Sequence, residues 1–423
     1  MGSIHSFVLI DTNRRVSGNF ARSYVISFLM RLFLCLAAIC FLISFSSAGE
    51  RNVIFRGQHN NSLIQFLGKK DDSAKSGRVA FMGGSITQMN GYRPMVSNWL
   101  KARFPQTKFE FINAGISSTC STTGAFRLKE HVLDKGRIDL FFIEFAVNDD
   151  QDARHAKREC VRGMEGIIRH ARTVQPEMDI VVTYFVNPGM LDQLKAGKVP
   201  MPIAAHEEVL KHYGVSAVFL AREVADRISA GKLTWAQFGG THPKPAGNAI
   251  ATELIGQLLS SAWDKNKAKD KTPHLVPEKL VDPGSYYQGI FLSPEQSSND
   301  SWSWSIPQWK KIAGNFRNTF AGMKLLCCNE PGKQTTIRFT GTALGAYVLA
   351  GPDAGTLEFS LDDGQWKAHD LYHHYSRGLH YPRTVMFFTD LEKKEHTVRM
   401  RLSDKSNSSS KGSAARILQF TVN

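Results

Sequence analysis

The sequence is short of acidic residues for its size. Its 423 residues include 38 Asp and Glu residues against 52 Lys and Arg residues, which gives a formal net charge of +14. It also lacks a basic helix, a zinc knuckle and a stripe of basic residues interleaved with aromatic ones, so we do not expect a nucleic-acid partner. Positive charge without these motifs favours an acidic polysaccharide or an anionic cell surface as the partner.

Long hydrophobic runs are equally scarce. One such run covers residues 32–45; it follows Arg31 and precedes a stretch of small residues that ends at Ala48. This layout predicts that residues 1–48 are a secretory signal peptide cleaved after Ala48, and hence that the protein is secreted. The alternative is an N-terminal membrane anchor formed by the same run.

Cysteine is rare, and two of the six cysteines lie within the hydrophobic run. The four that remain are Cys120, Cys160, Cys327 and Cys328. In an oxidising compartment an even cysteine count permits disulfides, and a bridge between Cys120 and Cys160 is plausible because both lie in one predicted domain; the pairing itself stays open. No cysteine stands at metal-ligand spacing from a histidine, so we expect neither a metal nor another cofactor.

Residues 51–263 alternate between apolar runs and stretches with helical spacing. Such alternation predicts a parallel sheet with helices on both faces, a three-layer α/β/α domain with its site at the C-terminal ends of the strands. The five apolar runs predict strands at residues 79–82, 109–112, 138–145, 179–185 and 215–219.

The pattern changes after residue 263. A charged run followed by prolines at positions 273, 277 and 283 predicts a linker over residues 264–284. Short apolar stretches with turn signals then replace the helical period, and Asp362-Asp363-Gly364 is typical of a hairpin turn. We therefore expect residues 285–423 to form an all-β sandwich of the jelly-roll kind.

Four residues stand after predicted strands or before the last predicted helix: Ser85, Gly115, Asn148 and His242. Parallel strands end at one edge of a sheet, so these residues should lie together. A serine hydroxyl needs a base to lose its proton near neutral pH, and histidine is suited to that task. The Ser85 and Gly115 backbone N–H groups and the Asn148 amide can stabilise an oxyanion. Gly83-Gly84-Ser85 alone is equally compatible with a plain strand-to-helix turn.

These residues carry a resemblance to a known family. The four blocks Gly83-Gly84-Ser85, Asn113-Ala114-Gly115, Val147-Asn148-Asp149 and Thr241-His242-Pro243 resemble, in order, those of the SGNH (GDSL-type) hydrolases. The resemblance implies a flavodoxin-like fold and the hydrolysis of esters, often acetyl esters on carbohydrates, without a metal. It also implies that Ser85 is the nucleophile, that His242 is the base, and that Gly115 and Asn148 belong to the oxyanion hole.

Two positions depart from the family pattern. Gly84 stands where the first block usually has Asp, and Gly239 stands where an Asp usually precedes the histidine by three residues. That Asp would orient the imidazole and stabilise its positive charge. Residues 235–243 contain no carboxylate, so either a backbone carbonyl or another acid, such as Asp149 or Asp150, must take this role.

We therefore predict a secreted serine esterase that hydrolyses acyl groups, O-acetyl in particular, on a small-molecule or polysaccharide substrate. The sandwich would bind glycan or shape the substrate entrance. Two alternatives stay open: a non-catalytic carbohydrate-binding protein on a hydrolase scaffold, which the missing Asp motivates, and an O-acyltransferase that uses the same acyl-enzyme.

Overall fold

The computed structural model describes residues 52–68, 75–264 and 269–423. The predicted signal peptide or anchor, with its hydrophobic run, lies outside the described residues. Within them, no helix combines the length and the apolar character needed to cross a membrane. The part of the chain from Asn52 to Asn423 is one compact unit, with an α/β part followed by a β part.

A six-stranded sheet lies at the centre of the α/β part. Its strands are β1 (Val53–Ile54), β2 (Lys75–Gly83), β3 (Thr107–Gly115), β4 (Leu140–Glu144), β5 (Asp179–Thr183) and β6 (Ser216–Val218). They stand in the order β1-β6-β5-β4-β2-β3, and only β1 is antiparallel to its neighbour. The five parallel strands thus have the 2-1-3-4-5 order of flavodoxin-like folds.

Helices cover both faces of this sheet. They are α1 (Asn60–Leu67), α2 (Ser85–Gln88), α3 (Tyr92–Arg103), α4 (Ser121–His131), α5 (Lys157–Val174), α6 (Pro188–Lys195), α7 (Met201–Tyr213), α8 (Leu220–Ser229), α9 (Trp235–Phe238) and α10 (Pro245–Asp264). One layer contains α4, α5 and α7, and the other contains α1, α3 and α10. Because both faces are covered, β4 and β5 are buried at every residue, which explains their unbroken apolar runs. The predicted three-layer fold is confirmed.

The β part contains two antiparallel sheets. Its strands are β7 (Ile290–Leu292), β8 (Ser303–Ser305), β9 (Leu325–Cys328), β10 (Gln334–Gly341), β11 (Leu344–Ala350), β12 (Thr356–Leu361), β13 (Lys367–Asp370), β14 (Tyr381–Phe388), β15 (Lys394–Leu402) and β16 (Ala415–Val422). One sheet has the order β10-β15-β12-β13, and the other has β14-β11-β16-β9-β8 with β7 against β16. The two inner faces share one apolar core. The predicted β-sandwich agrees with this architecture.

A tight turn joins β12 to β13, as predicted. Asp362 and Asp363 both have positive φ, at 47° and 59°, and the Gly364 N–H donates to the Leu361 carbonyl at 2.8 Å. Positive φ at both central residues is the type I′ geometry, which matches the twist of a hairpin.

The described part of the predicted linker packs against α5 and β5. His274 Nε2 lies 2.8 Å from Asp179 Oδ1, and the Glu165 carboxylate accepts the Val281 and Asp282 N–H groups. This segment is therefore attached along its length to the α/β part. The division into domains at residues 51–263, 264–284 and 285–423 stays a prediction.

Candidate active site

Three strands end at the same level on one edge of the parallel sheet. Gly83 of β2 stands opposite Gly115 of β3 on one side and opposite Glu144 of β4 on the other. The connections after β2 and β4 therefore start from neighbouring points. This is the place in the 2-1-3-4-5 order where the strand order reverses and where open α/β sheets bind their ligands.

Ser85 and His242 meet at this edge. Ser85 is the first residue of α2, and His242 lies in the loop between α9 and α10. Ser85 Oγ and His242 Nε2 are 2.7 Å apart, a hydrogen-bond distance. A serine hydroxyl bonded to an imidazole at the start of a helix has the arrangement of an activated nucleophile. The structure thus brings together the two residues predicted to be catalytic, and their catalytic roles stay a prediction.

The loop that carries His242 leaves no room for the usual acid. Gly239 ends α9 with φ of 109°, and Gly240 follows with φ of 89°. A Cβ at position 239 would lie 2.2 Å from the Lys244 backbone nitrogen. Such a contact forces backbone to move, and positive φ is itself strained for residues other than glycine. The chain conformation therefore excludes an aspartate at position 239.

Asn148 lies directly against the residue that precedes Ser85. A Cβ added at Gly84 would be 2.1 Å from Asn148 Oδ1 and 2.7 Å from its Nδ2. Only a glycine at position 84 therefore leaves space for the Asn148 side-chain amide. Asn148 begins a single π-helical turn, Asn148–Asp152, and its Nδ2 donates to the Asp152 carboxylate at the end of that turn. Isolated π turns are frequent at functional sites.

Gly115 lies tightly against α2. A Cβ there would be 2.3 Å from the Gln88 backbone nitrogen, so only glycine lets β3 approach α2. The Gly115 N–H donates to the Asn113 side-chain oxygen at 3.0 Å. The N–H of Ser85 stands in the first turn of α2, where helix N–H groups have no intrahelical acceptor. The three predicted oxyanion donors are thus gathered around α2, with the Gly115 N–H and the Asn148 amide engaged by protein acceptors.

The carboxylates of Asp149 and Asp150 both form hydrogen bonds with residues other than His242. Asp149 is fully buried; its oxygens accept the N–H and the hydroxyl of Ser121 at 2.8 and 2.7 Å, and His206 Nε2 lies 2.8 Å away. Asp150 accepts the Asn187 amide at 2.7 Å. The first carboxylate fixes the start of α4 and the second ties the site loop to the start of α6. Neither therefore stands as the partner of His242.

Asp152 is an acid whose charge is coupled to that of His242. Burial raises the pKa of Asp152, while hydrogen bonds from Asn148 and Gln151 and the positive charges of Arg317 and His242 act in the opposite direction. Sequence reasoning missed Asp152, although its spacing of four residues from Asn148 is the one signal that pointed to it.

A second buried carboxylate lies beneath α2. Glu144, at the end of β4, has no exposed surface and accepts the Thr87 hydroxyl at 3.1 Å. That hydroxyl is 3.0 Å from the Tyr92 hydroxyl. Burial raises the pKa of Glu144 to about 8, so the group is neutral below that pH. Glu144 therefore supports α2 as a hydrogen-bonded acid rather than as a charge.

The sandwich supplies one wall of the site. Arg317 Nη2 donates to the Ser118 hydroxyl at 2.5 Å, and the Tyr381 hydroxyl bonds the Ser118 carbonyl at 3.4 Å. His373 Nε2 lies 2.9 Å from the Asp152 carbonyl. Ser118 has φ of 70°, an uncommon conformation for serine. The hydrogen bonds from Arg317 and Tyr381 stabilise it in that conformation. The loop after Gly115 is thus fixed by the C-terminal part of the chain.

The predicted Cys120–Cys160 disulfide is wrong. Both cysteines are buried and both are free thiols, as are Cys327 and Cys328. Cys120 precedes α4 and faces Thr123 and His155, whereas Cys160 lies on α5 within the apolar core. An even cysteine count permitted a bridge but did not establish that the two side chains point at each other.

The comparisons with known proteins agree with this geometry. Residues 81–250 match the model of the GDSL-like lipase/acylhydrolase family. The predicted resemblance is confirmed as a GDSL-like lipase/acylhydrolase domain over these residues. The predicted activity class, a carboxylic ester hydrolase, is confirmed with it. No curated protein matches the chain.

Two crystal structures share the fold of both parts of this chain. One is a two-domain esterase active on acetylated mannans, co-crystallised with mannopentaose; it is 20% identical, has a TM-score of 0.69, and the match covers 89% of this chain and 97% of that one. The other is a two-domain esterase active on acetylated mannans, 20% identical with a TM-score of 0.68, covering 89% and 98%. At this identity the likeness shows the fold.

Proposed function

We propose that this protein is a secreted esterase that removes acyl groups, O-acetyl groups above all, from carbohydrate through an acyl-enzyme on Ser85. The observation that supports this most directly is the 2.7 Å contact between Ser85 Oγ and His242 Nε2 at the switch point of the sheet. Family membership supports the reaction class. The similar fold of esterases active on acetylated mannans supports the substrate class.

In the proposed first step, Ser85 Oγ attacks the ester carbonyl while His242 Nε2 takes its proton. The Ser85 N–H, the Gly115 N–H and the Asn148 amide receive the negative charge that forms on the carbonyl oxygen. To do so, the Gly115 N–H leaves the Asn113 oxygen and the Asn148 amide turns from Asp152. His242 then protonates the departing sugar hydroxyl, and water attacks the acyl-enzyme with His242 as base again.

The wall beside the site supports a sugar as the leaving group. His373 and Tyr381 stack with their ring centroids 4.5 Å apart, and the half-exposed Tyr375 lies next to both. Aromatic faces next to hydrogen-bonding groups suit the apolar faces and hydroxyls of a sugar ring. The predicted secretory signal at residues 1–48 supports export to where polysaccharides lie.

The test compares wild type with Ser85→Ala on p-nitrophenyl acetate and on acetylated mannan. We expect Ser85→Ala to lower turnover of both by at least about 1,000-fold, because the nucleophile is lost. Ser97→Ala is a matched control, since the Ser97 hydroxyl donates to the Arg93 carbonyl of its own helix and to no other of the described residues. Equal rates in wild type and Ser85→Ala would refute the mechanism, and turnover of the nitrophenyl ester alone would refute the carbohydrate substrate.

A carbohydrate-binding protein without esterase activity is the second candidate. The engaged Gly115 N–H and Asn148 amide, together with Gly239 in place of the usual acid, are the observations that favour it. It predicts that glycan binding survives in Ser85→Ala and that an organophosphonate probe leaves Ser85 unlabelled in the wild type. Labelling of Ser85 that is lost in His242→Ala would exclude this candidate.

A further inference from the structure

Cys120, His155 and Asp149 bring a thiol, an imidazole and a carboxylate to one point in the α/β part. Each side chain offers one donor atom, and these three atoms all lie within 4.8 Å of one another. Cys120 Sγ is 3.8 Å from His155 Nε2, a separation close to that in a metal site. The ligand atoms of a tetrahedral zinc ion stand about 3.5 Å apart, given bond lengths of about 2.0–2.3 Å. An ion between the three donors would therefore draw them together by about 1.3 Å at most.

The three residues come from separate segments of the chain. Cys120 is the residue before α4, Asp149 lies in the π turn after β4, and His155 stands between that turn and α5. The fold brings them together because β3 and β4 both pair with β2 and end at the same edge of the sheet. No cysteine is at metal-ligand spacing from a histidine in the sequence, so sequence analysis does not predict this cluster.

Hydrogen bonding does not explain why the imidazole and the carboxylate lie so close. His155 Nδ1 is 3.7 Å from Asp149 Oδ1, too far for a hydrogen bond. This nitrogen is buried and has no hydrogen-bond partner among the described residues. Buried polar atoms normally have partners. The donors thus converge without bonding one another well, which is the arrangement expected around a missing cation.

Asp149 is already held in the manner of a metal ligand. Its oxygens accept the N–H and the hydroxyl of Ser121 at 2.8 and 2.7 Å, and His206 Nε2 lies 2.8 Å away. Asp149, Ser121 and His206 have no exposed surface. Metal-binding carboxylates are usually fixed by such further hydrogen bonds, because these orient the ligand oxygen. The carboxylate is therefore preorganised before any ion arrives.

A cavity of about 200 Å³ gives an ion access to the donors. Cys120 and His155 line it, together with the acidic residues Asp152 and Glu159. The cavity leaves one side of the cluster open, so water can complete a four-coordinate ion.

The charges around the cluster favour a cation. As ligands, the Cys120 thiolate and the Asp149 carboxylate carry two negative charges, and the two acidic residues of the cavity stand beside them. Arg127 and Arg383 interact with Cys120 and oppose a cation. Acidic groups thus outnumber these two arginines, and a thiol that binds a divalent ion is deprotonated by it.

We propose that Cys120, His155 and Asp149 bind one zinc ion, with water from the cavity as the fourth ligand. A set of sulfur, nitrogen and oxygen donors suits Zn²⁺, whereas Mg²⁺ and Ca²⁺ take oxygen ligands. The zinc–sulfur bond forms as the thiol proton leaves to solvent. The ion connects the segment after Gly115 with the π turn that begins at Asn148. It therefore fixes the two loops next to the predicted oxyanion donors and takes no part in the chemistry at Ser85.

The experiment is calorimetric titration of the full chain with zinc, after the protein has been stripped with a chelator and kept reduced. We expect one zinc ion per chain and a higher melting temperature with zinc, because a ligand that binds only the folded state stabilises it. Cys120→Ser and His155→Gln should each weaken binding by at least about 100-fold, since loss of an outer-shell partner alone costs about 10–100-fold. Cys328→Ser is the matched control, because that buried thiol lies in the sandwich and faces the Glu330 carbonyl.

Cobalt(II) gives a test that does not depend on whether the variants fold. A thiolate bound to Co²⁺ produces a sulfur-to-metal charge-transfer absorption in the near ultraviolet. We expect the wild type to show this band and to lose it when zinc displaces the cobalt. A cobalt complex without the band, or no binding of micromolar zinc, would overturn the proposal.

The variants give two further outcomes against it. Wild-type affinity in Cys120→Ser and His155→Gln would overturn the proposal. Loss of binding in Cys328→Ser but not in Cys120→Ser would also overturn it, because the ion would then lie at the Cys327–Cys328 pair. Ser85→Ala should bind zinc with wild-type affinity, so failure of the zinc site is distinguishable from failure of the proposed esterase.

Discussion

Asp152 interacts electrostatically with His242. In the proposed mechanism the imidazole becomes positive when it takes the Ser85 proton, and the Asp152 carboxylate stabilises that charge. We expect Asp152→Asn to lower kcat/KM roughly tenfold, about 1.4 kcal/mol of barrier. The measurement is kcat/KM of the wild type and Asp152→Asn on p-nitrophenyl acetate.

The control for this substitution is Asp150→Asn. Asp150 is adjacent in sequence, but its carboxylate bonds Asn187 at 2.7 Å. Its replacement should leave kcat/KM close to the wild-type value. An equal loss in both variants, or none in Asp152→Asn, would mean that Asp152 does not act on the imidazole.

Glu144 makes stability depend on pH in an unusual direction. Burial raises its pKa to about 8 in the folded protein, against an ordinary value of 4.5. Between these values the unfolded chain releases a proton that the folded chain keeps, so the free energy of unfolding falls as pH rises from about 4.5 to 8. Full titration would correspond to roughly 5 kcal/mol.

Glu144→Gln should remove this dependence, because a neutral amide replaces the neutral acid. In urea unfolding, we expect the free energy of unfolding of Glu144→Gln, relative to that of the wild type, to be larger at pH 8 than at pH 5. A difference between the two proteins that is the same at both pH values would show that Glu144 does not hold its proton.

Sequence could place these residues only in part. Ser85, Asn148 and His242 were predictable because each follows a strand or precedes a helix in one ordered series. The position of Asp152 could not be predicted, because it depends on a π turn that has no local sequence pattern. The hydrogen bonds of Asp149 could not be predicted either, because one of its partners is His206 on the distant helix α7. The disulfide prediction failed for the same reason.

Among elements, the loop between α9 and α10 fixes His242 without an acid of its own. We expect Gly239→Asp, which restores the usual family residue, to lower both activity and the melting temperature, because a Cβ there meets the Lys244 nitrogen at 2.2 Å. Gly240→Asp is the matched control: it has positive φ too, but nothing lies within 4 Å of its Cβ.

Thermal unfolding and kcat/KM are measured for both variants. The comparison separates the steric clash with Lys244, which only Gly239→Asp introduces, from the strain of positive φ, which both variants share. Both should lose stability from positive φ, by roughly 1 kcal/mol. The additional loss in Gly239→Asp measures the collision. Higher activity in Gly239→Asp than in wild type would show that the loop can accept an acid.

Long elements were predictable and short ones were not. The five strands predicted for the parallel sheet are all present, as β2 to β6, and their ends differ from the predicted ones by at most four residues. The helix α9 has four residues and the strands β7 and β8 have three each. Segments this short have too few residues to show a period, so their conformation is set by the neighbours they pair with.

At the scale of the whole molecule, Arg162 joins the α/β part to the sandwich. Its side chain is 3% exposed and bonds both Asp282, in the connecting segment, and Asp390, before β15. We expect Arg162→Ala to lower the free energy of unfolding by roughly 2 kcal/mol, less than for a fully buried pair because Asp390 is half-exposed.

Arg158 provides the control, since it bonds the same two carboxylates from the surface, with 58% of its side chain exposed. Arg158→Ala should change stability little, because exposed ion pairs contribute little. Urea unfolding of both variants measures the contrast. Equal losses would mean that burial of the Arg162 guanidinium is not what attaches the two parts.

The Ser118 loop belongs to the α/β part by sequence, yet Arg317 and Tyr381 of the sandwich hold it. Substitutions in the sandwich will therefore alter turnover without touching Ser85 or His242. For an engineer, this means that libraries aimed at new acyl donors should mutate the sandwich face around positions 317 and 381. It also means that an isolated α/β fragment is a poor surrogate for screening inhibitors.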